Sequence, residues 1–133
     1  MKITYPKDCG NSPRSMHAAE ISAHLRGNDV TKLKDYLAES FRWNTPGESE
    51  GVDLKRLETM MAQSKNAQIQ VLSISIQTAF SHGKYAAVTS ESKLSDGSAS
   101  YAHDLIVFSS AGAAAKVQHV TSYIVDGGAQ RCE

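Results

Sequence analysis

The chain has 133 residues, 41% of them hydrophobic and 21% charged, which is the size and composition of one ordinary globular domain with a real core. Lys and Arg number 14, as do Asp and Glu, so the formal net charge is zero. That balance excludes the basic excess of a nucleic-acid-binding domain and leaves little repulsion against self-association. The apolar stretches fall far short of the roughly 18 residues of a membrane-spanning helix.

Residues 1–13 carry Pro6, Gly10 and Pro13 and read as an extended arm without the continuous apolar segment of a secretory signal. Cys9 and Cys132 lie near opposite ends. With no export signal, the expectation is a cytoplasmic protein with reduced thiols; a disulfide joining the two ends is the alternative. Ser12 can cap a helix with Pro13 at its first position, and Met16, Ala19, Ile21, Ala23 and Leu25 recur at helical spacing before Gly27-Asn28 ends it. Asp29 can cap a second helix, Val30 to Glu39, with Val30, Leu33, Tyr36 and Leu37 on one stripe. Phe41 to Thr45 is β-prone and stops at Pro46-Gly47, and residues 47–51 read as an exposed loop. A third helix is expected from Asp53 to Ser64, with Leu54, Leu57, Met60 and Met61 on one side.

Everything after Asn66 is strand-like. Ala67 to Ser81 alternates at Leu72, Ile74, Ile76, Thr78 and Phe80, while Ile69 and Val71 have the opposite phase, which predicts a bulge near residues 71–72. Lys84 to Leu94 follows the His82-Gly83 turn, and Asp96-Gly97 joins it to Ser98–Phe108 as a hairpin. A loop of small residues, 109–115, leads to a last strand from Lys116 to Asp126. Three helices ahead of an antiparallel meander give an α+β domain with its helices on one face, and a bent sheet over helices leaves a hollow where ligands bind.

The strings Leu25-Arg26-Gly27-Asn28-Asp29, Phe41-Arg42-Trp43-Asn44-Thr45-Pro46-Gly47 and Ala115-Lys116-Val117…Ser122-Tyr123-Ile124, in that order, resemble the nuclear transport factor 2-like superfamily. The opening Tyr5 to Pro13 resembles a group of uncharacterised bacterial members, and the likeness runs over about residues 5 to 125. It implies a cone-shaped, cystatin-like fold of three N-terminal helices on a strongly bent antiparallel sheet, as one domain over 1–133. The superfamily includes ketosteroid isomerase and SnoaL-like polyketide cyclases. By this likeness the isomerase base position falls on Thr45, its tyrosine position on Ile21, and its third, acidic position on Asp104, four residues before Phe108. Thr45 cannot take a proton from carbon near neutral pH, so the isomerase set is incomplete. The Asp-Arg-Asp set of a limonene epoxide hydrolase-like relative is not evident either.

Asp104 interrupts an apolar strand and is the candidate catalytic or anchoring residue. If it faces the hollow, so do Ala102, Ile106 and Phe108 by two-residue alternation. Reading Asp96-Gly97 as a two-residue turn pairs Thr89 with Asp104 and Ala87 with Ile106, and puts Tyr85, Thr89 and Glu91 on the inner face. Asp104 and Glu91 would then be two carboxylates at one cavity; the plainer reading is a hydrogen-bonded structural acid and a wet rim. On the last strand Val120, Ser122 and Ile124 would face in. Val117, His119, Thr121, Tyr123 and Val125 would face out with Tyr101 and His103, a surface apolar enough to suggest a homodimer, which the family resemblance also implies.

The expected ligand set is therefore Phe41, Trp43, Thr45, Met60, Thr89, Glu91, Asp104, Ile106, Val120 and Ser122, around a small, largely apolar molecule. The alternatives are a dimerisation or interaction module with a vestigial cavity, its interface at Tyr101, His103, His119 and Tyr123, and an isomerase- or cyclase-like enzyme using Asp104. No cofactor is expected. His17 and His24 share a helix without a third ligand, and the cysteines lack zinc spacing, so no metal is expected. Gly-x-Ser-x-Gly and phosphate-loop patterns are absent.

Overall fold

The structure, a computed structural model, describes residues 1–7, 12–47 and 50–129. Cys9, Cys132 and the middle of the 47–51 loop lie outside the described residues. Helix α1 runs Pro13–Arg26, with the Ser12 side chain accepting from the Ser15 N–H at 3.4 Å and Pro13 at the first helical position. Asn28, at φ 57°, makes the left-handed step that ends it. Ala18, Ile21, Ser22 and Leu25 recur on its buried face, which packs on the strands at Val71–His82 and Tyr85–Leu94.

The second helix is shorter than its sequence pattern. α2 covers only Val30–Leu33, capped by Asp29, and strand β2 begins at Leu37 and runs to Asn44. Leu33 and Leu37 are buried in this arrangement as they would be on one helix, so the spacing alone could not separate the two. Tertiary pairing decides: β2 lies parallel to the last strand, with Leu37 opposite Val117 and Arg42 opposite His119. Strand β3, Val52–Asp53, pairs with β2, and Asp53 then caps α3, Leu54–Ser64. The arm is extended as expected, and its Lys2–Thr4 forms β1, which pairs in parallel with the chain at residues 73–75. The helices are therefore not a block ahead of the sheet. Strands β1, β2 and β3 come between and before them, and two of the sheet's pairings are parallel.

The rest is the expected meander: β4 Val71–His82, β5 Tyr85–Leu94, β6 Ser98–Phe108 and β7 Val117–Ala129. The seven-stranded order is β1-β4-β5-β6-β7-β2-β3. Register shifts occur in β4 between Val71 and Ser73, as predicted, and again between Ile76 and Thr78. Each shift exchanges faces, so Ile74 and Ile76 are buried while Leu72, at the first, and Phe80, beyond the second, are exposed.

One core joins the layers. Ile21 and Leu25 of α1, Leu33, Phe41, Leu57, Met61, Val88, Ile106, Val117 and Val120 are all buried in a single cluster. Each of the larger side chains contributes about 1.5–3 kcal/mol by leaving water.

Candidate functional site

The β5–β6 hairpin fixes which residues face inward. Its loop is three residues, Ser95-Asp96-Gly97, with the Gly97 N–H bonded to the Leu94 carbonyl and Gly97 at φ 87°. A three-residue loop shifts the pairing by one residue from the two-residue reading. Val88, not Thr89, stands opposite Asp104, and Ala86 opposite Ile106. Thr89 pairs with His103 and Glu91 with Tyr101, so the Thr89, Glu91 and Tyr85 side chains belong to the outer face. Thr89 Oγ1 hydrogen-bonds His103 Nδ1 at 3.1 Å there. Asp104 and Glu91 are thus on opposite sides of the sheet and form no carboxylate pair.

Asp104 does face inward and is fully buried, with Ala102, Ile106 and Phe108 on the same side. Its counter-ion is Arg26, the last residue of α1, whose Nη2 lies 3.2 Å from Asp104 Oδ1 and whose side chain is 9% exposed. The Ser122 hydroxyl, from the position of β7 opposite Asp104, donates to the same Oδ1 at 2.5 Å. Ser122 Oγ in turn accepts from Trp43 Nε1 at 2.8 Å and from Arg26 Nη2 at 3.1 Å. The Arg26 guanidinium lies 5.8 Å from the centre of the Trp43 ring, within cation–π range. Residues from α1, β2, β6 and β7 thus meet in one charge-neutral node inside the fold.

The node is only partly satisfied. Arg26 Nε and Asp104 Oδ2, the remaining atoms of the same ion pair, are buried without a hydrogen-bond partner, as are Ser22 Oγ and Ser90 Oγ. Ser22 sits one turn before Arg26 on the buried face of α1. Ser90 lies on the inner face of β5, two residues from Val88, the cross-strand neighbour of Asp104. A buried polar atom without a partner costs about 1–3 kcal/mol.

The other expected ligand residues scatter. Phe41, Ile106 and Val120 are fully buried in the packed core, and Trp43 and Thr45 are half-buried. Met60 is 38% exposed while its neighbour Met61 is 2% exposed, because Leu57 and Met61, four apart, form the inner stripe of α3. Ile124 is exposed beyond Ser122. Val117, expected outside, is buried: a register shift pairs Phe108 with Val117 but Val107 with His119, which returns Val117 to the inner face. Ile21 is fully buried. Three surface clefts, at the ends of α1 and α3 (about 260 Å³), beside Asn44 and His119, and beside Asp53 and Glu58, contain none of the expected ligand residues.

Outside the node, the Tyr36 hydroxyl donates to Glu20 Oε2 at 2.7 Å, and this bond raises the Tyr36 pKa to about 12. Burial lowers the pKa of His24. On the outer face of the sheet, Tyr85, Tyr101, Leu105, Tyr123 and Val125 are exposed. No helix is long and apolar enough to cross a membrane.

No family model and no curated protein matches the sequence. Solved bacterial structures do match its fold. A nuclear transport factor 2-like protein of unknown function from Burkholderia xenovorans superposes with TM-score 0.65 at 15% identity, covering 90% of this chain and 87% of that one. A candidate ketosteroid isomerase from Kribbella flavida gives 0.66 at 17% identity, with 95% and 86% covered. An uncharacterised protein with a cystatin-like fold from Silicibacter pomeroyi gives 0.60 at 15% identity, with 84% and 77% covered. The chain has the nuclear transport factor 2-like, cystatin-like α+β fold.

Proposed function

We propose that this protein binds a small molecule inside the cone, with the Arg26–Asp104–Ser122 node as the anchor for the ligand's polar end. The observation that carries the reading is the set of buried, unpartnered polar atoms on Ser22, Arg26, Ser90 and Asp104. A domain selected for stability alone would bury apolar groups there. Trp43 and Arg26 are the members of the node with solvent exposure, so the path inward runs past them. The ligand's body is apolar, because the surroundings of the node are Phe41, Ile106, Val88 and Val120. In this role Asp104 is an anchor, held in place by Arg26 and Ser122 through Oδ1. The fold alone does not supply the assignment.

A thermal-shift screen of the full chain against uncharged small molecules and lipids tests it. Compounds that raise the melting temperature of the wild type, but not of Asp104→Asn, are expected. A screen that raises neither contradicts the reading.

A second reading, homodimerisation through the outer face, rests on the exposed side chains of Tyr101, Leu105, Tyr123 and Val125 together with the zero net charge. Sedimentation velocity decides it: a dimer supports this interface, and a monomer at micromolar concentration contradicts it. The two readings are compatible, since they use opposite faces of the sheet.

A further inference from the structure

We propose that the surface cleft between β7, β2 and β3 binds a small hydrophilic anion by its carboxylate or phosphate group. The site is separate from the Arg26–Asp104 node and stands whether or not that node holds a ligand.

Strand pairing builds the cleft. β2 and β7 are parallel, with Arg42 opposite His119 and Asn44 opposite Thr121. Phe41 and Val120 are fully buried, so by two-residue alternation Arg42, Asn44 and His119 project from the opposite face of the sheet. On the other side of β2, Val52 stands opposite Trp43, which brings Gly51 beside Asn44. A Cβ at Gly51 would lie 2.8 Å from Asn44 Oδ1 and 3.1 Å from Arg42 Cβ. Glycine therefore keeps open a cleft of about 440 Å³, lined by Ser40, Arg42, Asn44, Gly51, Gln118 and His119. That volume falls within the roughly 300–1,000 Å³ of small-molecule sites.

The lining selects the ligand. It holds no acid and no apolar side chain, and its one permanent charge is the Arg42 guanidinium. Arg42 Nη1 donates to the Phe41 carbonyl at 2.8 Å, which tethers the group to its own strand and leaves its other N–H donors for a ligand. His119 Nε2 lies 2.7 Å from Asn44 Oδ1. An amide oxygen only accepts, so Nε2 carries the proton and the Asn44 NH2 is the half left to donate. A guanidinium fork beside an oriented amide matches the paired oxygens of a carboxylate or phosphate. The polar walls suit a hydroxylated body better than an apolar one.

Arg42 also borders a cleft lined by Glu39, Asp53 and Glu58, yet it forms no ion pair among the described residues. Asp53 Oδ1 accepts from the Arg56 N–H at 2.8 Å, and Glu58 pairs with Lys34 at 3.3 Å.

Glycerol, glycerate and glycerol phosphate share a body and differ in the anionic group. Each is titrated at millimolar concentration into the isotope-labelled full chain and followed by NMR. At least one anion is expected to shift the Asn44 side-chain NH2 and Arg42 Nε–H signals saturably, with a Kd about tenfold or more below that of glycerol. The tighter of the two anions identifies the head group. Arg42→Gln, at an exposed position, is expected to weaken that anion about tenfold. Gly51 is not in the left-handed region, so Gly51→Ala reads the space in the cleft and is expected to weaken it several-fold. Saturable binding that Arg42→Gln leaves unchanged overturns the site. So does glycerol binding as tightly as both anions, or no shift of the Asn44 and Arg42 signals with either.

Discussion

Replacing Asp104 by Asn removes the charge that balances Arg26 while keeping the side chain's size and one carbonyl oxygen. Arg26 is 9% exposed at its side chain, so its charge would remain almost wholly desolvated, with no counter-ion. Breaking a buried pair in this way costs about 3–5 kcal/mol. The retained amide oxygen still accepts from Ser122, which favours the lower end, about 3 kcal/mol. An unfolding entropy of roughly 2.1 cal/mol/K per residue over 133 residues gives about 0.28 kcal/mol per kelvin. The melting temperature should therefore fall by about 11 °C, measured by circular dichroism or calorimetry. Urea denaturation should show the same loss at an unchanged m-value. Arg26→Met combined with Asp104→Leu removes both charges and should recover most of the loss, leaving a coupling energy of about 2 kcal/mol or more in the double-mutant cycle. A drop below about 3 °C for Asp104→Asn, or a coupling within about 0.5 kcal/mol of zero, would refute the buried, coupled pair.

Other perturbations separate the parts of the fold. Trp43→Phe deletes the indole donor to Ser122 and should cost about 1 kcal/mol in urea denaturation, since Ser122 keeps Arg26 as a donor. Gly97→Ala meets no atom within 4 Å but must hold φ at 87°, so a loss of about 1–2 kcal/mol is expected from backbone conformation alone; an unchanged stability would contradict the three-residue loop. Tyr36 has a pKa raised to about 12 by its bond to Glu20, so the stability it adds is complete below pH 10 and lost as pH rises through 12. Denaturation between those limits should show a fall in the wild type that Tyr36→Phe lacks in part. On the outer-face dimer reading, Tyr101→Lys with Tyr123→Lys places charge at the interface and should leave only monomers in sedimentation velocity, without loss of helix or strand content.

The sequence was most informative where local chemistry acts alone. Ser12-Pro13 starts α1, α3 ends at Ser64 and β6 has its expected ends, because each depends on neighbours within a few residues. It was least informative where a long-range pairing overrides spacing. Leu33 to Leu37 satisfies a helix stripe, yet the chain turns there to join β7. One extra loop residue at Ser95 moved Thr89 and Glu91 to the outside, whereas alternation along β6 grouped Asp104 with Ala102, Ile106 and Phe108 whichever face they took. Arg26 was missed. A cation in the last turn of a helix is an ordinary partner for the helix dipole, and nothing local shows that Asp104, 78 residues away, closes on it. The one signal was Ser22, a polar residue one turn before Arg26 on the otherwise apolar face of α1.

The most direct test of the central claim is a high-resolution crystal structure of the full chain as purified. The expected result is a bound small molecule with a polar atom within hydrogen-bond distance of Arg26 or Asp104. A node whose free atoms on Ser22, Arg26, Ser90 and Asp104 are bonded to water alone would contradict it.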